Sequence, residues 1–240
     1  MELLVIACSV MKDELMAVSV PGVRFEFLEI GLHRTPTKMP TLIQEKIHQT
    51  DDKIDYIVLG YGLCGNGTVG VKAEKKPLII PKVHDCISLF LGSSEARQKQ
   101  QQKAPGTYYL TKGWIDEGTP PLALLEEYAQ RYDRETAEWV ISEEFKNYTR
   151  LVLVDTGAYD LSTYRNHAQA NATFLGVTYE EIKGSLALFK KMVKGQWDKD
   201  DFIILQPGEE ITQMMFLSLI ENNVPPAYEA LARRRGDGVG

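Results

Sequence analysis

Three thiols, one histidine beside them and a glycine-rich run carry most of the chemistry this sequence offers. Cys8, Cys64 and Cys86 are the only cysteines in 240 residues, and an odd count of three cannot form a disulfide framework. In a reducing compartment they are free thiols, catalytic groups or metal ligands. Each follows a short apolar run: Leu3–Ala7 precedes Cys8, Ile54–Leu59 precedes Gly60-Tyr-Gly-Leu-Cys-Gly-Asn-Gly67, and Leu78–Pro81 precedes Lys82-Val-His-Asp-Cys86. If these runs are neighbouring strands of a parallel sheet, about 4.8 Å apart, the thiols stand together at the carboxyl edge, where ligands of open sheets bind. They then converge on one metal ion or cluster. His84, two residues before Cys86, points the same way in an extended segment and can complete the set. Three thiolates and an imidazole suit zinc, whereas three thiolates alone suit a [4Fe–4S] cluster with one iron left open. Spacing leaves both open. Free cysteine is also a common small core residue, yet Cys64 lies between glycines and Cys86 follows His-Asp, neither of them a core-strand context.

The glycine run has a second meaning. Gly60-x-Gly62-x-x-Gly65 has the form of a dinucleotide fingerprint, and it follows a strand-like run. Against that, the strand is the third of the chain and a cysteine occupies the turn. More generally, Gly60, Gly62, Gly65, Asn66 and Gly67 let backbone amides approach an anion or cluster closely, and a helix opening near Asn66 would present its positive end to it. For proton transfer the candidates are His84, Asp85 and Asp155, the last in Asp155-Thr-Gly-Ala-Tyr-Asp160 after the run Leu151–Val154. Loop capping explains Asp155 equally well. Lys112 and Trp114 follow a fifth run, Thr107–Leu110, and His33 follows a second, Phe25–Ile30.

These residues need a scaffold that gathers strand ends. The apolar runs, completed by Phe202–Leu205, are continuous rather than alternating, which predicts strands buried on both faces. The fold class is therefore α/β, a mostly parallel sheet flanked by helices. Tyr179, Ile182, Leu186, Phe189 and Val193 recur at helical spacing behind Thr178 and Glu181, which stand as a capping box, and predict one helix. The stretch Pro120–Tyr148 reads as a two-helix insertion near the middle, with a soft internal division near residue 149 of a single domain over 1–240. The end, 225–240, with its Arg triplet and glycines, reads as a flexible tail.

Composition narrows the partners. The chain is 44% hydrophobic and 25% charged with a net charge of −6, so no electrostatic footprint for nucleic acid exists. No apolar run approaches the roughly 20 residues of a membrane span, and no basic leader precedes the first strand. A cytoplasmic protein acting on a small-molecule substrate is the expectation.

The combination of Ala7-Cys8, Gly60–Gly67, His84-Asp-Cys86, Gly106-Thr-Tyr-Tyr109 with Gly113-Trp114, and Asp155-Thr-Gly157 resembles the domain of unknown function 1638 family of anaerobic archaea and bacteria over most of the chain. Members are often encoded near corrinoid-dependent methyltransferases. The resemblance therefore implies a role around methyl transfer or corrinoid maintenance, with a corrinoid protein or methyltransferase as partner, and supplies no established reaction. The D-x-H-x-x-G loop by which corrinoid carriers hold cobalt is absent, so the chain is not the carrier. The expectation is a metal-binding protein in one-carbon or corrinoid chemistry, with zinc as the metal and a [4Fe–4S] cluster as the alternative, and with a metal-dependent methyltransferase-like activity favoured if it is an enzyme. The alternatives are a non-catalytic accessory protein of a methyltransferase system and a nucleotide or phosphate enzyme built on the Gly60–Gly67 loop.

Overall fold

A computed structural model describes residues 1–30 and 36–217. In chain order the first half runs β1 (Leu3–Cys8), α1 (Lys12–Ala17), β2 (Val23–Leu28), α2 (Met39–His48), β3 (Tyr56–Gly60), β4 (Leu78–Pro81), α3 (Cys86–Leu91) and α4 (Ser94–Lys103). The second half adds β5 (Thr107–Leu110), α5 (Lys112–Asp116), α6 (Pro121–Ala129), α7 (Arg134–Phe145), β6 (Arg150–Asp155), α8 (Ser162–Leu175), β7 (Thr178–Lys183), α9 (Ala187–Lys194) and β8 (Phe202–Leu205).

The strands form two sheets. One has the order β2-β1-β3-β4-β8, parallel except for β8, and the other has the order β5-β6-β7, all parallel. Successive side chains of a strand point to opposite faces, and here both faces of the larger sheet are covered. Val5, Ala7, Val58 and Ile79 pack beneath Leu15 of α1 and Phe189 and Met192 of α9. Leu4, Ile6, Ile57, Leu59 and Ile80 pack against Met39, Ile43 and Ile47 of α2. Double-sided burial is why these strands are continuous apolar runs. Val152 and Val154 of β6 and Tyr109 of β5 enter the first of these cores, so the small sheet leans on the same hydrophobic mass. Its other face, Leu151 and Leu153, packs on Ala168 and Ala172 of α8.

One expectation is corrected. Thr178–Lys183 is not the start of a helix but the edge strand β7, paired with β6 from Arg150↔Thr178 to Asp155↔Lys183. The helical spacing runs across a break: Gly184 lies so close to the backbone of Phe90 that a Cβ would come within 2.4 Å of its carbonyl oxygen. Only Ala187–Lys194 is helical, its Leu188, Phe189, Met192 and Val193 all buried. The α6–α7 pair has its own small core of Leu124, Leu125, Ala137 and Ile141. It forms the crossover between β5 and β6, the helical pair that the sequence places near the middle. His33 and the tail 225–240 lie outside the described residues. Among the described residues no helix is long and apolar enough to cross a membrane.

Candidate functional site

In the larger sheet β1 leads outward to β2 on one side, while β3 leads to β4 on the other. That reversal is a topological switch point, and the crevice beyond the carboxyl ends of the two strands is where open α/β sheets bind ligands. Cys8 is the last residue of β1, Cys64 lies in the loop after β3, and Cys86 opens α3 after β4. The three strands are adjacent and parallel. Their three free, half-buried thiols line a single cavity of about 370 Å³. Tyr61, His84, Asp85 and Trp114 line it too, with Val10, Ile30 and Met39 as apolar walls and Glu29 at the edge. A larger groove of about 520 Å³ runs along α2 past His48 and Glu74, but no thiol lines it.

The loop after β3 continues the sheet before it turns. Leu63 N–H donates to the Val83 carbonyl and Cys64 N–H to the His84 carbonyl, both at 3.0 Å, which sets Cys64 beside the Cys86 segment. Gly60 and Gly62 are glycines because of this packing. A Cβ on Gly60 would lie 2.4 Å from that of Ala7, and one on Gly62 would lie 2.7 Å from the Val83 carbonyl oxygen. The chain then reverses through three successive left-handed residues, Cys64 (φ 47°), Gly65 (φ 64°) and Asn66 (φ 70°). For Cys64 and Asn66 this conformation costs about 1–2 kcal/mol each, and strain of this kind gathers at functional sites. No helix opens at Asn66; residues 64–70 are turns, which corrects that expectation and removes the helix terminus a dinucleotide fingerprint requires.

Asp85 holds the third thiol in place. As N-cap of α3 its Oδ1 accepts the Ser88 amide and hydroxyl, both at 3.2 Å, while Oδ2 accepts Arg97 Nε at 3.1 Å. Arg97 lies over the Tyr109 ring, 5.1 Å from its centroid, so the small sheet braces this corner. With both oxygens engaged, Asp85 holds the start of α3 and with it the position of Cys86. His84 is exposed at the cavity rim. Asp155 belongs elsewhere. It ends β6, forms an ion pair with Lys183 of β7 and accepts the Gly157 amide at 3.0 Å, and it does not line the cavity. The Lys183 hydrogen bond holds its carboxyl below the usual range. Lys112 is likewise engaged by Asp13 and Asp116, at 2.6 and 2.7 Å. Its neighbour Trp114 reaches the cavity because Gly113 lets α5 press against Val10.

Burial dominates the electrostatics. It pushes the Cys8 thiol up to about 11 and that of Cys64 to about 12, and it raises Cys86 well above its ordinary value. The thiols also raise one another: Cys64 and Cys8 act on Cys86, and Cys8 acts on Cys64. Backbone hydrogen bonds oppose the rise, from Val10 to Cys8 and from Gly62 and Cys86 to Cys64. Amides aimed at sulfur favour thiolate. No Lys or Arg is among the described residues lining the cavity. Among the described residues no group of three or more His, Cys, Asp or Glu side chains stands close enough to hold one metal ion.

Tyr61, Met39 and Val10 were not legible as site residues, since each reads as core. Tyr61 is 3% exposed, and its hydroxyl has no hydrogen-bond partner among the described residues. Burial raises its pKa first, with the three thiols adding to the rise, so the hydroxyl stays protonated.

The model of a family described as "Protein of unknown function (DUF1638)" matches residues 27–193. No curated protein and no solved structure matches the chain.

Proposed function

The chain belongs to this DUF1638 family, and from that premise we propose that it is a thiolate metalloprotein. In this reading Cys8, Cys64 and Cys86 hold a [4Fe–4S] cluster that serves one-carbon or corrinoid-dependent methyl transfer. The observation that carries it is the meeting of three thiols, from three adjacent parallel strand ends, around one cavity. Thiols buried in this way ionise beside positive charge, and a metal group supplies it.

Donor spacing favours a cluster over one zinc ion. Zinc gathers its ligands onto a sphere of about 2.3 Å radius, which brings its thiolates to roughly 4 Å from one another. Among the described residues no three His, Cys, Asp or Glu side chains are gathered to hold one ion. A cluster is bound through separate irons, so three thiolates need only surround it. Three thiolates leave one iron with an open position, and that iron, when the cluster is bound, can take a substrate or pass an electron. The chain's own residues do the rest. Asp85 and Arg97 fix Cys86, the Val10 and Gly62 amides turn toward sulfur, Trp114 and Ile30 exclude water, and exposed His84 stands at the rim where it can hold or move a proton of a small-molecule substrate.

The methyl-transfer setting, with a corrinoid protein or methyltransferase as partner, rests on the resemblance. Free thiols with this role belong in a reducing compartment, so the reading goes with a cytoplasmic protein. The nucleotide alternative has less support, because no helix opens at the glycine run and no Lys or Arg is among the described residues lining the cavity.

Anaerobic purification followed by reconstitution with iron and sulfide tests the proposal. Broad brown absorbance with about four irons per chain, abolished by serine at Cys8, Cys64 or Cys86, supports it. Colourless protein with one tightly held zinc replaces the cluster with zinc, and protein that binds neither refutes the metal reading.

A further inference from the structure

The three thiols are not placed alike. Leu63 N–H donates to the Val83 carbonyl and Cys64 N–H to the His84 carbonyl, both at 3.0 Å, so Cys64 runs beside the residues that lead into Cys86. The Cys86 amide in turn hydrogen-bonds the Cys64 sulfur. Nitrogen and Cβ branch from the same Cα, so a sulfur that reaches the amide of Cys86 stands next to its side chain. Of the other two thiols, Cys64 is also the one that acts more strongly on Cys86. Cys8 comes from further away. Its strand pairs with β3 up to Ala7↔Gly60, which sets Cys8 level with Tyr61, three residues short of Cys64. β3 lies between β1 and β4, and with strands about 4.8 Å apart the backbone of β1 is roughly 10 Å across the sheet from that of β4. A disulfide needs Cα atoms about 4.5–7 Å apart. These pairings single out Cys64 and Cys86.

We infer that Cys64 and Cys86 form a redox pair in which a peroxide closes a disulfide beside the cavity and so shuts the metal site. Both S–H bonds and the peroxide O–O bond break, one S–S bond forms, and the two protons and two electrons leave with the oxygens as two molecules of water. Peroxide enters through the cavity, which the half-buried thiols line and at whose rim His84 is exposed. With two of the three donors joined to each other, too few thiolates remain to hold a cluster, and a dithiol reductant restores them. The shut-off rests on the thiolate-metal reading and adds regulation to that same site, whereas the pairing of the thiols stands on the fold alone.

The test treats the metal-free, fully reduced full-length chain with a small excess of hydrogen peroxide, alkylates the remaining thiols and maps the tryptic peptides. The expected product is a link between residues 54–72 and 83–97, lighter by two hydrogens, with Cys8 alkylated in residues 1–12. Cys8→Ser should give the same link and Cys64→Ser should not. Samples oxidised to different extents are then reconstituted with iron and sulfide without added thiol, and iron content is compared with the fraction linked in the same sample. Iron should fall in proportion to that fraction, to about a tenth or less of the reduced value when linking is complete, and dithiothreitol should restore it. Three intact thiols, a link to Cys8, links between chains or singly oxidised sulfurs overturn the pairing while leaving the cysteine ligands in place. Iron content that is independent of the fraction linked overturns the shut-off. Reduced protein that takes up no iron overturns the metal reading, and the shut-off with it.

Discussion

Replacing Asp85 separates a residue that holds Cys86 in place from one that transfers protons. Asp85→Ala removes the acceptor for the Ser88 amide at the start of α3, and loss of a side-chain N-cap costs about 1 kcal/mol. It also removes the partner of Arg97. The two side chains are 29% and 22% exposed, so solvent still screens the pair and its contribution is about 0.5–1 kcal/mol. The sum, about 2 kcal/mol, lowers the Tm of a chain of this size by roughly 4–8 °C. Asp85→Asn keeps a good capping oxygen and loses only the charge, so it should cost about 0.5–1 kcal/mol, roughly 2 °C. Thermal unfolding of the empty proteins followed by far-UV circular dichroism measures both, and iron content after reconstitution follows Cys86. Asp85→Asn should retain iron and Asp85→Ala should lose part of it. An alanine variant that melts with wild type would refute the capping geometry. An asparagine variant that falls as far as alanine would show that charge, and not the cap, holds this corner.

Cys64→Ser should abolish iron binding while moving the Tm of empty protein by less than about 2 °C, since the left-handed turn is held by backbone bonds such as Gly67 N–H to the Cys64 carbonyl at 3.1 Å; a collapse of the far-UV spectrum would instead make the thiol structural. Gly62→Ala should reduce iron retention more than Gly70→Ala, because its Cβ would press to 2.7 Å on the Val83 carbonyl and part the Cys64 loop from the Cys86 segment, whereas alanine at Gly70, strained by its φ of 87°, has nothing within 4 Å of its Cβ and leaves that contact alone; equal retention would count against that packing. Glu14, wholly buried, accepts the Thr156 hydroxyl at 3.0 Å with its other oxygen unpartnered, and burial raises its pKa above 4.5. A raised folded-state value means that its contribution is fully present below the unfolded-state value and is lost as pH rises through the folded one. Urea midpoints of Glu14→Gln should therefore gain on wild type from pH 4 to neutrality, and parallel curves would exclude this titration.

Most strands were readable because double-sided burial turns them into unbroken Val, Ile and Leu runs such as Leu78–Pro81. The edge strand β7 was not readable. It is partly exposed and alternates Tyr179 and Glu181 with Glu180 and Ile182, while the buried residues of α9 beyond Gly184 happen to extend a helical spacing into it. Asp155 was ambiguous for a related reason: a carboxylate after a strand end serves a loop as readily as a substrate, and only the fold shows that it pairs with Lys183 of the neighbouring strand.

Local sequence determined that each thiol comes at or soon after the carboxyl end of a buried strand, since a strand's end is marked by the glycines and polar residues that follow it. It could not determine strand order, which depends on pairings between residues far apart in the chain. Had β2 fallen between β1 and β3, the same three cysteines would have been spread along the sheet edge. The order β2-β1-β3-β4 put their strands side by side across the switch point, and the close contact of Gly60 with Ala7 and of Gly62 with Val83 brought the loops together. Tyr61 shows the same division. Its burial is a property of its sequence neighbourhood, but the cavity it lines beside three thiols exists only because β1, β3 and β4 are packed together and the small sheet brings Trp114 against Val10.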